Sequence, residues 1–259
     1  MTSPTEFVSQ AGRVLTIAIS TADNGTSLNR QGLTDGAAAL RQVARGERDA
    51  AAVVLVGRGA NFCAGGNVRA FAAADDRAVF LRDLADNFHA FINALHESRL
   101  PVVAAVKGWA AGAGMSVVTH ATIAIGGAST KMRPAYSGIG LSPDGGMTWM
   151  LPRIVGAARA RHIILTNKIV GADEGLTIGL LSEIVDDDAV ETRAQQVAAE
   201  LAAGPAAALA ATTELLHSGS TRSLPEQLIA EGASISALSS RPEGIEGVDA
   251  FVEKRPARF

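Results

Sequence analysis

Cysteine is almost absent: Cys63 is the one thiol in 259 residues, so there is no internal disulfide framework and a reducing compartment suits the chain. Excess positive charge is missing too. A formal net charge of −3 and a pI near 6.0 leave no basic field to follow a phosphate backbone, and nucleic acid is not an expected partner. The first residues, MTSPTEFVSQ, lack the charged start and apolar stretch of a secretory signal. The most membrane-like stretch, Val102 to Ile125, is broken by Lys107, His120 and several glycines, unlike a spanning helix. The expectation is a cytoplasmic protein with no membrane segment. Internal repeats and low-complexity linkers are lacking as well.

What is present is a core. Hydrophobic residues make up 47% of the chain, ordinary for a globular protein, and many α/β enzymes of this length fold around one main core. Val14 to Ser20, Ala52 to Gly57, Val102 to Val106 and Thr122 to Ile125 read as strands, the last three as continuous apolar runs of buried strands. Leu33, Ala37, Leu40 and Val43 recur at helical spacing, as do Phe80, Leu84, Phe88, Phe91 and Leu95. After Ile184 and Val185 the strand signals stop. The rest is alanine-rich helix punctuated by Gly204-Pro205, Gly219 and Pro225, which divides the chain into a mixed α/β core over 1–190 and a helical region over 191–259. Leu209, Leu215, Leu216, Leu228, Ile229 and Ile235 are more than a helical appendage can bury on itself, so that region must pack on the core or on another subunit.

Three glycine-rich loops stand out: GRGANFCAGGNV at 57–68, KGWAAGAGMSVV at 107–118 and GIGLSPDGGMTW at 138–149. Such loops let backbone approach a ligand closely, or simply make tight turns. None fits the dinucleotide fingerprint or the phosphate-binding loop with its Gly-Lys pair, which disfavours NAD and nucleoside triphosphates. The first two each follow a buried strand, and the second runs into a helix-compatible segment, Met115 to His120. Unpaired amides at such places suit negative charge developing on oxygen.

FCAGGNV after a VVLVG strand, then PVVAAVKGWAAGAGM, GLSPDGGMTWMLPRIVG and a closing AFVEKRPARF resemble the enoyl-CoA hydratase/isomerase (crotonase) superfamily over essentially the whole chain. The resemblance implies an α/β fold, a crotonase-like spiral of ββα units, with a C-terminal helical region that builds homotrimers or dimers of trimers. It implies an acyl-CoA substrate whose thioester oxygen is held by the amides of Gly66 and Ala113. Coenzyme A then enters as part of the substrate, and no prosthetic group or metal is expected.

Hydratases of that family use two glutamates, and matching loop to loop places Ser116 and Tyr136 there, so hydration lacks its acid and base. What remains is Asp144 in SPDGG, where several isomerases of the superfamily carry a single acid/base aspartate. An apolar acyl pocket disfavours a carboxylate's charged form, which tunes it for proton shuttling. Asp144 can equally serve as a helix cap after Pro143. The third loop most resembles the ring-epoxide and enoyl-CoA isomerase branch associated with phenylacetate breakdown. A second reading follows the aryl-CoA dehalogenases, in which an aspartate at the position of Asp144 attacks the ring. There a histidine twelve residues before the strand-opening proline activates water, and His89 stands twelve before Pro101. Tyr136 replaces the tryptophan that hydrogen-bonds that aspartate. A third reading is a non-catalytic acyl-CoA binder.

The family places the adenine between segments matching Thr26 to Leu28 and Ala64 to Val68, which includes Asn67 where an aspartate is common. Phe251 and Lys254 are implied at the adenine end, reaching in from a neighbouring subunit. Trp109 and Trp149 flank the glycine loops and either wall the pocket or pack in the core. Cys63 is expected to pack rather than react. His96, His120, His162 and His217 have no partner pattern and receive no role.

Overall fold

A computed structural model describes residues 6–259. A short hairpin opens the chain, β1 (Val8–Ala11) antiparallel to β2 (Val14–Thr21). Helix α1 (Arg30–Ala44) begins where the Asn29 side chain accepts from the Gly32 N–H, and it buries Leu33, Ala37 and Leu40 as their spacing predicts. Then come β3 (Ala52–Arg58), a short α2 (Val68–Ala73) capped by Asn67, and α3 (Arg77–Ser98), capped by Asp76. The apolar stripe of α3 does two jobs. Phe91 and Leu95 are core, whereas Phe80 and Leu84 face a cavity.

From here strands come in pairs. β4 (Val102–Val106) joins the large sheet and β5 (Trp109–Ala111) a small one, followed by α4 (Ala113–Val118). β6 (Ile123–Gly127) and β7 (Lys131–Arg133) divide the same way before α5 (Met147–Val155) and α6 (Ala157–Leu165). β8 (Val170–Gly171), α7 (Ala172–Thr177) and β9 (Glu183–Val185) complete the set. The large sheet runs β1-β2-β3-β4-β6-β9, parallel apart from β1, and the small one β5-β7-β8. This is the expected winding of strand–strand–helix units.

Both faces of the large sheet are covered, which is why its strands read as unbroken apolar runs. Leu15, Ile17, Leu55 and Val106 pack with α1 and α3 residues, while Val54, Val56, Val103 and Ile125 pack on the opposite face with Val190, Ala194 and Ala198. Those last three belong to α8 (Val190–Ala202). Thus α8, counted with the helical region in the sequence, closes the core, and it is followed by α9 (Ala206–Gly219), α10 (Leu224–Ser239) and α11 (Pro242–Glu253). On these three helices Leu216, Leu228, Ile229, Ile235 and Val248 are exposed. No helix among the described residues is long and apolar enough to cross a membrane.

Candidate active site

The two glycine loops are joined backbone to backbone. The Cys63 N–H donates to the Trp109 carbonyl at 3.0 Å, and the Ala111 N–H returns to the Cys63 carbonyl at 2.9 Å. Around them the Ala64 N–H donates to Thr26, the Leu28 N–H to Gly65 and the Gly112 N–H to Arg133. The amides of Gly66 and Ala113, one from each loop, donate to no carbonyl among the described residues. Gly65 has φ +97°, and a Cβ there would stand 3.0 Å from the Ala111 carbonyl oxygen. Only glycine allows the loops to close this tightly.

Both amides line a cavity of about 570 Å³ whose walls include Leu28, Ala64, Asn67, Val68, Phe71, Phe80, Leu84 and Ile139. Its lining is apolar with a few polar groups, the usual make-up of a small-molecule site. Asp144 is the one carboxylate in that lining. Helix α5 is capped by Gly146 with no side-chain bond, so Asp144 is not the helix cap. Its Oδ1 instead accepts from the Tyr136 hydroxyl at 2.6 Å. Burial first, and the adjacent Asp144 next, raise the Tyr136 pKa, so the phenol keeps its proton and stays a donor. Ser116 Oγ lies 3.1 Å from the Tyr136 oxygen and donates to the Asp144 backbone carbonyl at 3.0 Å. Ser116 and Tyr136, matched by the resemblance to the glutamates of hydratases, thus both turn their hydroxyls onto Asp144. Asp144 Oδ2 has no hydrogen-bond partner among the described residues.

Other expectations need correcting. Trp109 lies outside the cavity, with the Lys131 ammonium 5.7 Å from its ring centre. Thr26 is buried below the first loop, where it shapes the wall by accepting from Ala64 rather than by touching the cavity. Phe251 and Lys254, expected to serve a neighbouring subunit and not their own, sit at the exposed end of α11, away from this chain's cavity, and that expectation is not corrected. Trp149 is also outside, under the Arg153 guanidinium at 3.6 Å. His89 is close to the Asp144 turn, but its Nε2 accepts the Gly145 N–H at 3.1 Å. That nitrogen is not free to take a proton from water. Cys63 is fully buried and burial raises its thiol pKa to about 12, which leaves it inert packing against α4.

Sequence reading missed two things. Ser116 was visible only as a lost glutamate, and its hydroxyl acts across 28 residues. His96, His120 and His217, given no role, form a cluster: His96 Nε2 is 2.9 Å from His120 Nδ1, and the His96 and His217 ring centres are 4.3 Å apart. They come from three separate elements, so no spacing announces them.

Known proteins place this fold. A crystal structure of an enoyl-CoA hydratase from Polaromonas sp. JS666 superposes with a TM-score of 0.90 at 28% identity, covering 97% of this chain and 98% of that one. The architecture is therefore the crotonase fold. The sequence profile of the enoyl-CoA hydratase/isomerase family matches residues 9–259. A Rhodobacter capsulatus protein named "Probable enoyl-CoA hydratase" is 40% identical over 216 residues, 83% of this chain and 82% of its own. The 1,2-epoxyphenylacetyl-CoA isomerase of Escherichia coli is 32% identical over 251 residues, 95% of this chain and 94% of its own. This chain belongs to the enoyl-CoA hydratase/isomerase family.

Proposed function

We propose that the protein is an acyl-CoA isomerase that moves a proton with Asp144 while the amides of Gly66 and Ala113 hold the thioester enolate. The observation that carries this reading is the single carboxylate of the cavity, oriented through Oδ1 by Tyr136 and open at Oδ2. Two amide donors on the thioester oxygen acidify the carbon next to the carbonyl, and they gain strength as the oxygen becomes an anion. Oδ2 removes a proton from one carbon and, as a carboxylic acid, returns it to another carbon of the conjugated system. Substrate atoms and charge are conserved, and neither water nor a second base is required. Tyr136, locked as a donor, stabilises the carboxylate form between turnovers.

The coenzyme A arm is read as running past Leu28, Ala64, Asn67 and Val68, at the edge of the same cavity. The exposed apolar residues of α9 to α11 are read as the surface of a homotrimer or dimer of trimers. In such an assembly Phe251 and Lys254 reach the coenzyme end of a neighbour's site. Incubating the protein with 2-enoyl- and 3-enoyl-CoA in deuterated water tests the reaction. The expected outcome is double-bond migration with deuterium at carbon, abolished by Asp144→Asn while acyl-CoA still binds. Turnover unaffected by Asp144→Asn overturns the assignment.

The dehalogenase reading keeps one observation in its favour, the Tyr136 bond to Asp144, and meets one against it, the engaged Nε2 of His89. Halide release from a halogenated benzoyl-CoA, lost in His89→Ala with an aryl ester trapped on Asp144, would establish it.

A further inference from the structure

Gly145, the residue after Asp144, is gripped by imidazoles at both of its backbone polar groups. Its N–H donates to His89 Nε2 at 3.1 Å, and its carbonyl is 2.8 Å from His120 Nε2. A carbonyl only accepts, so His120 carries its proton on Nε2 and presents a bare Nδ1. His96 Nε2, 2.9 Å from that Nδ1, is then the donor. One carbonyl oxygen thus sets the tautomer of two rings. His89 must be the reverse, with its proton on Nδ1.

The turn these rings hold has room only for glycine. Gly145 and Gly146 both have positive φ, +60° and +77°, which glycine adopts freely and a residue with a Cβ does not. A Cβ on Gly145 would lie 2.1 Å from the Phe88 ring, and one on Gly146 would lie 2.9 Å from His120 Nε2. The turn is therefore wedged between Phe88 and His120, while Ser116 holds the carbonyl of Asp144 itself. Behind His96, the His217 ring of α9 stacks at 4.3 Å between centres, with Trp149 5.7 Å from His217. Burial, followed by the neighbouring rings, lowers the His96 pKa to about 4, and burial also lowers that of His120. The pair stays neutral near pH 7, and the direction of donation is preserved.

We propose that His120, backed by His96, and His89 are positioning residues that clamp the Gly145 peptide and thereby aim the Asp144 carboxylate into the cavity. The clamp touches no substrate, and it rests on Asp144 being the proton-transferring group. It gives His89 a purpose that needs no water activation. It also gives a purpose to the two half-buried histidines that the reaction itself leaves unused.

The test uses the full chain with a 3-enoyl-CoA probe and compares His120→Leu with His120→Gln. Leucine removes the donor to Gly145, whereas the glutamine amide can replace it. His120→Leu is expected to lower kcat about 100-fold, the scale of a misplaced reacting group, with KM unchanged. His120→Gln is expected to recover most of that loss. Adding His120→Leu to Asp144→Asn should change nothing further, because the clamp acts only through the carboxylate. Equal losses in the leucine and glutamine variants, or losses that add in the double variant, would overturn the proposal. Long-range proton–nitrogen spectra of histidine-labelled, unsubstituted protein at neutral pH provide a readout that needs neither turnover nor a variant that folds. They should give Nε2–H for His96 and His120 and Nδ1–H for His89. An Nδ1–H tautomer at His120 sinks the clamp, even if Asp144→Asn confirms the base. If Asp144→Asn leaves proton transfer intact while the tautomers are as stated, the base assignment fails and the grip on Gly145 stands.

Discussion

The two halves of the cavity are built from different materials. The amide half, Gly66 and Ala113, is held by main-chain bonds between adjacent loops and by glycines that let the backbones touch. The Asp144 half is held by side chains: Tyr136 on the carboxylate, Ser116 on its carbonyl, His89 and His120 on the next peptide. Main-chain geometry survives most substitutions, because every residue type supplies the same N–H and C=O. Side-chain geometry can be rewritten one residue at a time. A family can in this way keep its handling of the thioester oxygen while changing what happens to the carbons. On the proposed reading, the rewriting consists of hydroxyls at Ser116 and Tyr136 where the resemblance implies two carboxylates.

That contrast can be broken most sharply at Ala113. Proline is tolerated at the first position of a helix, and Gly112 before it has no Cβ to clash, so Ala113→Pro replaces one N–H by the ring Cδ with little disturbance of α4. The expected loss in kcat is about 10²–10³-fold, the effect of removing one oxyanion donor. It is measured by steady-state kinetics on an enoyl-CoA, with the fold checked by circular dichroism. An unchanged kcat would remove the amide half from the chemistry.

A smaller loss is expected on the other side. Tyr136→Phe keeps the ring and removes the hydroxyl that donates to Asp144 Oδ1. A hydrogen bond to a charged group contributes about 1.5–3 kcal/mol, so kcat should fall roughly 10- to 100-fold. Binding of the acyl-CoA, followed by calorimetry, should be unchanged, since the amide half remains. A rise in the dissociation constant equal to the fall in kcat would mean that Tyr136 binds substrate rather than orients Asp144.

The smallest effect separates the halves by pH. The amide half contains no titrating group. The Asp144 half leans on His96, whose pKa is lowered from 6.5 to about 4, and on His120, lowered in the same direction. Between those two values the unfolded chain binds a proton that the folded chain refuses, so stability falls as pH drops from about 6.5 toward 4 and levels off below. Urea denaturation midpoints across that window should decline, and His96→Gln should flatten the decline. A midpoint that rises on acidification would contradict the burial of a neutral pair.

Much of this was readable in advance. The strands of the large sheet declared themselves as short apolar runs because both faces are covered, and α1 and α3 declared themselves through helical spacing. Gly66, Ala113 and Asp144 were legible because their loops carry dense local signals: paired glycines, AAGAG, PDGG. Trp109 and Thr26 were misplaced, since sequence proximity to a glycine loop does not say which side of the strand a ring faces or whether a residue gives its side chain or its carbonyl. The packing of α8 onto the sheet could not be told from the exposed helices after it, because alanine-rich helices look alike until something covers them.

By itself the sequence determined the local parts of this protein: which segments are buried strands, where backbone must turn through glycine, and that one carboxylate survives near the third loop. The tertiary structure decided how those parts cooperate. Ser116, Tyr136, His89 and His120 reach Asp144 and Gly145 from elements 8 to 56 residues away along the chain. No periodicity or spacing records such meetings. They depend on the winding of the strand pairs, which is set by burial of the whole core and not by any one of the residues it brings together.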